Sequence, residues 1–137
     1  MASIRTEVLI DARPEDIWLA LRDFGAIHQR LAPGFVTEAR LDGDARVVTF
    51  FSGAVAREQL IDIDDEGRRL VYSVVESPLG LTHHNASAQV FSAGEGRSRF
   101  VWVADLLPNE LGATVSGLME QGAVSMKRHL ESQTPTT

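Results

Sequence analysis

The 137-residue sequence contains no cysteine and a single lysine, Lys127. Without cysteine, the chain has no disulfide framework, no thiolate metal cluster and no cysteine nucleophile. Schiff-base chemistry would depend on Lys127 alone, close to the C-terminus. No apolar run approaches the roughly eighteen residues needed to cross a bilayer, and the N-terminus alternates apolar and polar residues, unlike a signal peptide. The sequence therefore predicts a cytoplasmic protein without a membrane span.

Positive charge is also scarce, since the net charge is −6 and the 13 basic residues are spread along the chain. This charge opposes the phosphate backbone, so we expect no nucleic-acid partner. The apolar share of 44% and the charged share of 23% are typical of a soluble globular domain. A chain of this length predicts one domain, residues 1–131, followed by a polar tail, residues 132–137, that frays.

The spacing of apolar residues predicts the order of the secondary-structure elements. Residues 3–10 alternate and predict a first strand, and Pro14 with its following acids favours the start of a short helix. A second short helix at about 26–31 ends before Pro33. Turn sequences then separate six strands, at about 35–41, 45–51, 54–62, 69–76, 81–91 and 97–106. After Pro108 a period of 3.6 predicts one long helix.

Short connections make neighbouring strands antiparallel, and a sheet curled around the long helix would bury the apolar faces of both. The predicted fold class is therefore α+β: a seven-stranded curved antiparallel sheet around a long C-terminal helix, with two short helices after the first strand.

Several sequence motifs, taken in order, resemble those of a known superfamily. Residues 14–18, Pro-Glu-Asp-Ile-Trp, resemble the opening motif of the START-like and birch-pollen-allergen-like helix-grip superfamily (SRPBCC), particularly its bacterial polyketide cyclase/dehydrase branch. Residues 57–60, 69–72, 77–78 and 101–108 are similar to later motifs of that branch. The chain departs from the pattern at Leu31, where many relatives carry a tryptophan two residues before the proline that is Pro33 here. The resemblance spans nearly the whole chain and implies a cavity between sheet and helix that receives lipids, polyketides or other apolar molecules.

Strand parity predicts which side chains face this cavity. His84 lies on the apolar face of its strand and His83 on the opposite face. If residues 77–81 close a hairpin, Tyr72 and Glu76 share the face of His84. Glu58 is expected to face inward mainly because the resemblance implies it. The predicted ligand-binding residues are Tyr72, Glu76, His84, Ala86, Ala88, Phe100, Trp102, Leu118, Gly122, Met126 and Glu58.

An apolar wall with one imidazole, one carboxylate and one phenol is suited to orienting a mostly apolar ligand. We therefore expect the protein to bind a small, mostly apolar organic molecule, lipid-, polyketide- or aromatic-like. Two alternatives stay open. One is a cyclase, aromatase or dehydratase in which His84 and Glu76 act as catalytic residues that move protons; the other is a protein-interaction module with a vestigial cavity. No cofactor is expected, and no metal, because the adjacent His83 and His84 face opposite sides of one strand.

Glycines inside the long helix are a further observation, since glycine costs about 0.5 to 1 kcal/mol relative to alanine in a helix interior. Gly117 and Gly122 occupy such positions. Either close packing of the helix on the sheet or unfilled space beside it would account for them.

Overall fold

All seven predicted strands are present in a computed structural model, which describes residues 2–133. The strands are β1 (Ala2–Ile10), β2 (Val36–Asp42), β3 (Ala45–Phe50), β4 (Val55–Asp64), β5 (Arg69–Glu76), β6 (His83–Ser92) and β7 (Ser98–Leu107). The two α-helices are α1 (Pro14–Arg22) and α2 (Gly112–Ser132). Every prediction of an element is confirmed, with bounds that shift by one or two residues.

The strands form one antiparallel sheet in the order β1-β7-β6-β5-β4-β3-β2. β2 to β7 follow one another as a meander, so only β1 pairs out of sequence, with β7. The curved sheet packs against α2, as expected for the helix-grip fold. One face of α2 is buried at spacings of three and four residues, at Val115, Met119, Gly122, Ala123, Met126 and Leu130.

The predicted pair of short helices is an elbow of three pieces. α1 begins with Pro14 at its first position and is followed by a 3-10 turn, Phe24–Ala26, and a wide five-residue helical turn, Ile27–Leu31. The indole Nε1 of Trp18 donates a hydrogen bond of 2.9 Å to Asp65 in the β4–β5 turn. This bond ties α1 to the sheet and helps fix the elbow over one end of the domain.

Two β-bulges interrupt the pairing of β4 with β5. Arg57 pairs with Glu76, but Glu58 pairs with Val74, so Val75 is left without a partner in that ladder. A second bulge leaves Ile61 unpaired between Leu60 and Asp62. An unpaired residue reverses the alternation of side chains beyond it. Simple parity along β4 and β5 therefore fails at these two places.

The C-terminal end of the chain is described only as far as Gln133. α2 continues to Ser132, the first residue of the predicted tail, and residues 134–137 lie outside the described part of the chain. No helix within residues 2–133 is long and apolar enough to cross a membrane.

Candidate functional site

A cavity of about 330 Å³ lies between the inner face of the sheet and α2. Ile27 and Leu31 of the elbow, and Ala32 directly after it, line one side of the cavity. Its wall is mostly apolar, and its principal apolar side chains are Phe35, Val48, Phe50, Leu70, Ala88, Phe100, Trp102, Leu118, Met119 and Met126. Three of its lining residues are exposed, Ser52, Pro78 and Thr114, so the cavity reaches solvent between the β3–β4 turn, the β5–β6 loop and the start of α2.

Most of the side chains expected at the cavity do line it. They are Glu58, Tyr72, His84, Ala88, Phe100, Trp102, Leu118, Gly122 and Met126. Ala86 is buried in the core but does not reach the cavity. His83 is exposed and His84 is buried, as strand parity predicts.

The predicted position of Glu76 is wrong. Its side chain is exposed and does not line the cavity, because the bulge at Val75 ends the alternation that places Tyr72 and Val74 inward. Glu76 is instead the register partner of Arg57. The carboxylate that lines the cavity belongs to Glu58, which pairs with inward-facing Val74 on the other side of the same bulge.

Glu58 forms a buried ion pair with Arg46, its register partner on β3. Arg46 Nε lies 2.7 Å from Glu58 Oε1, and the two side chains are 5% and 7% exposed. Arg46 also donates through Nη1 to the Phe24 carbonyl at 3.2 Å, and its guanidinium lies 3.9 Å from the centre of the Phe24 ring. The mostly apolar wall of the cavity therefore contains two opposite charges. Both side chains line the cavity, and Arg46 has the Phe24 carbonyl as a further partner.

Tyr72 and Trp102 form a second polar contact in the wall. Trp102 Nε1 donates to the Tyr72 hydroxyl oxygen at 3.1 Å. Burial raises the pKa of Tyr72 well above its usual value, and the nearby Glu58 carboxylate raises it further. Tyr72 is therefore a neutral phenol. Its oxygen accepts from Trp102, and its hydroxyl proton has no acceptor within residues 2–133.

His84 lies beside Tyr72, with 5.8 Å between the ring centres. The backbone N–H of Val74 donates to His84 Nδ1 at 3.0 Å, so in the neutral ring the proton is on Nε2. Burial lowers the pKa of His84, the Glu58 charge opposes this, and His83 lowers it further. His84 therefore faces the cavity as a neutral imidazole whose Nε2–H is a hydrogen-bond donor.

Gly122 allows α2 to approach the rings of the cavity wall closely. A Cβ at this position would lie 3.1 Å from Trp102 Cζ3 and 3.2 Å from Phe35 Cε2. At Gly117, by contrast, nothing described lies within 4 Å of such an atom apart from the helix's own backbone. Close packing thus accounts for Gly122, whereas no described contact requires glycine at position 117.

Residues 1–131 match the family described as polyketide cyclase / dehydrase and lipid transport. The chain belongs to this family. No curated protein sequence matches the chain significantly. Among residues 2–133 of this family member, no group of three or more histidine, aspartate or glutamate side chains is arranged to hold a metal ion.

Solved structures with the same fold cover almost the whole chain. XoxI from Bacillus cereus is 21% identical, with a TM-score of 0.85 over 98% of this chain and 100% of that one. Norcoclaurine synthase from Thalictrum flavum, in complex with dopamine and hydroxybenzaldehyde, is 20% identical, with a TM-score of 0.73 over 98% and 88%. A START superfamily protein from Mycobacterium smegmatis is 13% identical, with a TM-score of 0.73 over 97% of both chains. These similarities show a shared helix-grip fold.

Arg46 is the charged residue of the site that sequence reasoning missed. It has the same strand parity as Val48 and Phe50, and all three line the cavity. An arginine on the apolar face of a strand needs a partner when it is buried. Its position on the same strand face as Val48 and Phe50 was therefore the signal that would have predicted Arg46 at the cavity, opposite Glu58.

Proposed function

We propose that the protein binds one small, mostly apolar organic molecule in the cavity between the sheet and α2. The observation that carries the proposal is the cavity itself. Packed protein interiors leave few voids larger than a water molecule, so a void of about 330 Å³ with apolar walls indicates a ligand. Its volume lies near the lower end of the range of about 300 to 1,000 Å³ for small-molecule sites, which favours a compact ligand over a long lipid chain.

The arrangement of polar groups supports a ligand with one polar end. Arg46, Glu58, Tyr72 and His84 lie close to one another, and the rest of the wall is largely apolar. The norcoclaurine synthase that shares this fold is in complex with dopamine and hydroxybenzaldehyde, which are single aromatic rings with polar substituents. A neutral single-ring molecule with a polar substituent, or a polyketide-like one, suits this cavity.

A cyclase, aromatase or dehydratase is the second candidate, since the family description includes cyclase and dehydrase. Such chemistry needs a group that takes a proton from carbon. His84 Nδ1 already accepts a backbone N–H, and Glu58 is paired with Arg46. Glu76, the other predicted proton carrier, does not reach the cavity. These contacts favour binding over proton transfer.

Dye binding to a cavity-filled variant tests the proposal. We expect an apolar environment-sensitive dye to bind the wild-type protein and to bind Ala88→Phe at least about tenfold more weakly, because the new ring occupies the cavity. Ala113→Phe is the matched control, since Ala113 is exposed at the start of α2. Equal dye affinity in all three proteins would place the dye elsewhere and refute the proposal. As a second test, native mass spectrometry of protein purified from its own host should detect a bound small molecule.

A further inference from the structure

The polar end of the cavity has more hydrogen-bond donors than acceptors. Within residues 2–133, neither His84 Nε2–H nor the Tyr72 hydroxyl proton has an acceptor, and the hydrogen bonds of these two side chains are ones that they accept. Arg46 Nη2 and Glu58 Oε2 also have no hydrogen-bond partner within residues 2–133. This end of the cavity therefore offers three donor groups, on His84, Tyr72 and Arg46, and one acceptor, on Glu58. A ligand that hydrogen-bonds to the donors must carry an acceptor oxygen.

The same end of the cavity has no net charge. The charges of Arg46 and Glu58 cancel within one ion pair, and His84 and Tyr72 are neutral. A carboxylate placed here would lie beside the Glu58 carboxylate, and the charge of Arg46 is already neutralised by its ion pair with Glu58. An ammonium group would lie beside the guanidinium. Burial of either ion would carry a desolvation cost that no opposite free charge offsets.

We infer that the cavity selects neutral molecules with a carbonyl-type acceptor, such as a ketone, aldehyde or ester, and that Glu58 excludes carboxylates by neutralising Arg46. This inference rests on the proposed function, because it concerns the ligand of the same cavity. It makes Arg46 and Glu58 determinants of specificity, while His84 and Tyr72 supply the donors that hold the carbonyl oxygen.

The test uses four probes of similar size that differ in one substituent: 2-ethylnaphthalene, 2-acetylnaphthalene, 2-naphthoate and 2-naphthylmethylammonium. Their affinities are measured near neutral pH by titration calorimetry. For the wild type we expect 2-acetylnaphthalene to bind about tenfold more tightly than 2-ethylnaphthalene, and both ionic probes to bind more weakly than the ketone.

Glu58→Gln is the decisive variant, because it keeps the shape of the side chain and leaves the Arg46 charge without a counterion. We expect its affinity for 2-naphthoate to rise by about tenfold or more, since a hydrogen bond to a charged group is worth more than a neutral one. Its affinity for 2-acetylnaphthalene should change by less than that. Tyr72→Phe removes one donor and should reduce the preference for the ketone over 2-ethylnaphthalene.

A buried arginine without a partner can prevent folding, so a double variant provides an independent test. Arg46→Met with Glu58→Leu removes both charges, and such replacements of buried ion pairs by apolar residues often preserve the fold. We expect this variant to keep the preference for the ketone through His84 and Tyr72 and to continue to reject 2-naphthoate.

Tight binding of 2-naphthoate to the wild type would overturn the inference, and so would a gain in 2-naphthoate affinity in the double variant. Equal binding of all four probes to the wild type would also overturn it and would leave the proposed function intact. If none of the four binds, 2-ethylnaphthalene included, the proposed function itself fails.

Discussion

Replacement of Gly122 by alanine tests how closely α2 packs on the cavity wall. The added methyl group would lie 3.1 Å from Trp102 Cζ3 and 3.2 Å from Phe35 Cε2, which is tighter than ordinary van der Waals contact. Alanine is favoured over glycine in a helix interior by about 0.8 to 1.0 kcal/mol. Overpacking of a well-packed site costs about 1 to 3 kcal/mol. The two effects oppose each other, so Gly122→Ala should be neutral or destabilising.

Gly117→Ala is the matched control in the same helix. There the added methyl group meets nothing described within 4 Å apart from the helix backbone, so the helix preference is the only large effect. We expect Gly117→Ala to raise the free energy of unfolding by about 0.5 to 1 kcal/mol. Gly122→Ala should therefore be less stable than Gly117→Ala by about 1 kcal/mol or more.

Urea denaturation of both variants measures this difference, and dye binding measures the state of the cavity. Trp102 and Phe35 both line the cavity, so pressure of the added methyl group on their rings should alter the shape of the cavity. Dye affinity should then fall in Gly122→Ala and stay unchanged in Gly117→Ala. Equal stabilisation of the two variants with equal dye affinity would show that Gly122 does not pack against these rings, and the reasoning would be refuted.

Three further predictions concern buried polar groups. Arg46→Met alone should lower the free energy of unfolding by about 3 to 5 kcal/mol, whereas the same change with Glu58→Leu should leave it near the wild-type value in urea denaturation. Ser98→Ala should cost about 1 to 3 kcal/mol by the same measurement, because the fully buried Ser98 hydroxyl donates to the Ala12 carbonyl at 2.7 Å. Burial lowers the pKa of His84, so the unfolded chain takes up that proton more readily, and stability should decrease as the pH falls below about 6.5. Urea denaturation at about pH 7.5 and about pH 5.5 should show a smaller decrease in His84→Gln than in the wild type; an identical decrease would contradict the assignment.

The fold could be predicted because its elements depend on local patterns. Alternation in β6 and β7 is uninterrupted, so it places His84, Ala88, Phe100 and Trp102 at the cavity as expected. The turns between the strands and the proline at the start of α1 are also local signals. The bounds differ by one or two residues, because hydrogen bonding at the ends of strands and helices depends on neighbouring elements. The elbow also contains a 3-10 turn between its two predicted helices.

The site was harder to predict because β4 and β5 are bulged. A bulge inserts one unpaired residue, and nothing in the side chains of Val75 or Ile61 marks either of them as that residue. Alternation counted along β5 across Val75 predicted that Glu76 faces the cavity, whereas its side chain is exposed. Alternation counted along β4 across Ile61 gave only weak support for an inward Glu58, although the Glu58 side chain lines the cavity.

The divergence of β5 from β6 also determines what His84 can do. Regular pairing of these strands ends at Tyr72 and Ala86. Beyond that point, side-chain bonds replace the ladder: the Ser73 hydroxyl donates to the His84 carbonyl, and the Val74 N–H donates to His84 Nδ1.

The irregular end of β5 thus has two chemical consequences. It directs Glu76 to solvent, away from the imidazole it would have to assist, and it engages the nitrogen of His84 that would accept a proton. Both leave His84 as a donor through Nε2. A histidine held in this way can orient an acceptor oxygen, but it gives up the Val74 bond if it takes a proton at Nδ1. The backbone geometry therefore favours recognition of a neutral ligand over acid–base catalysis at this position.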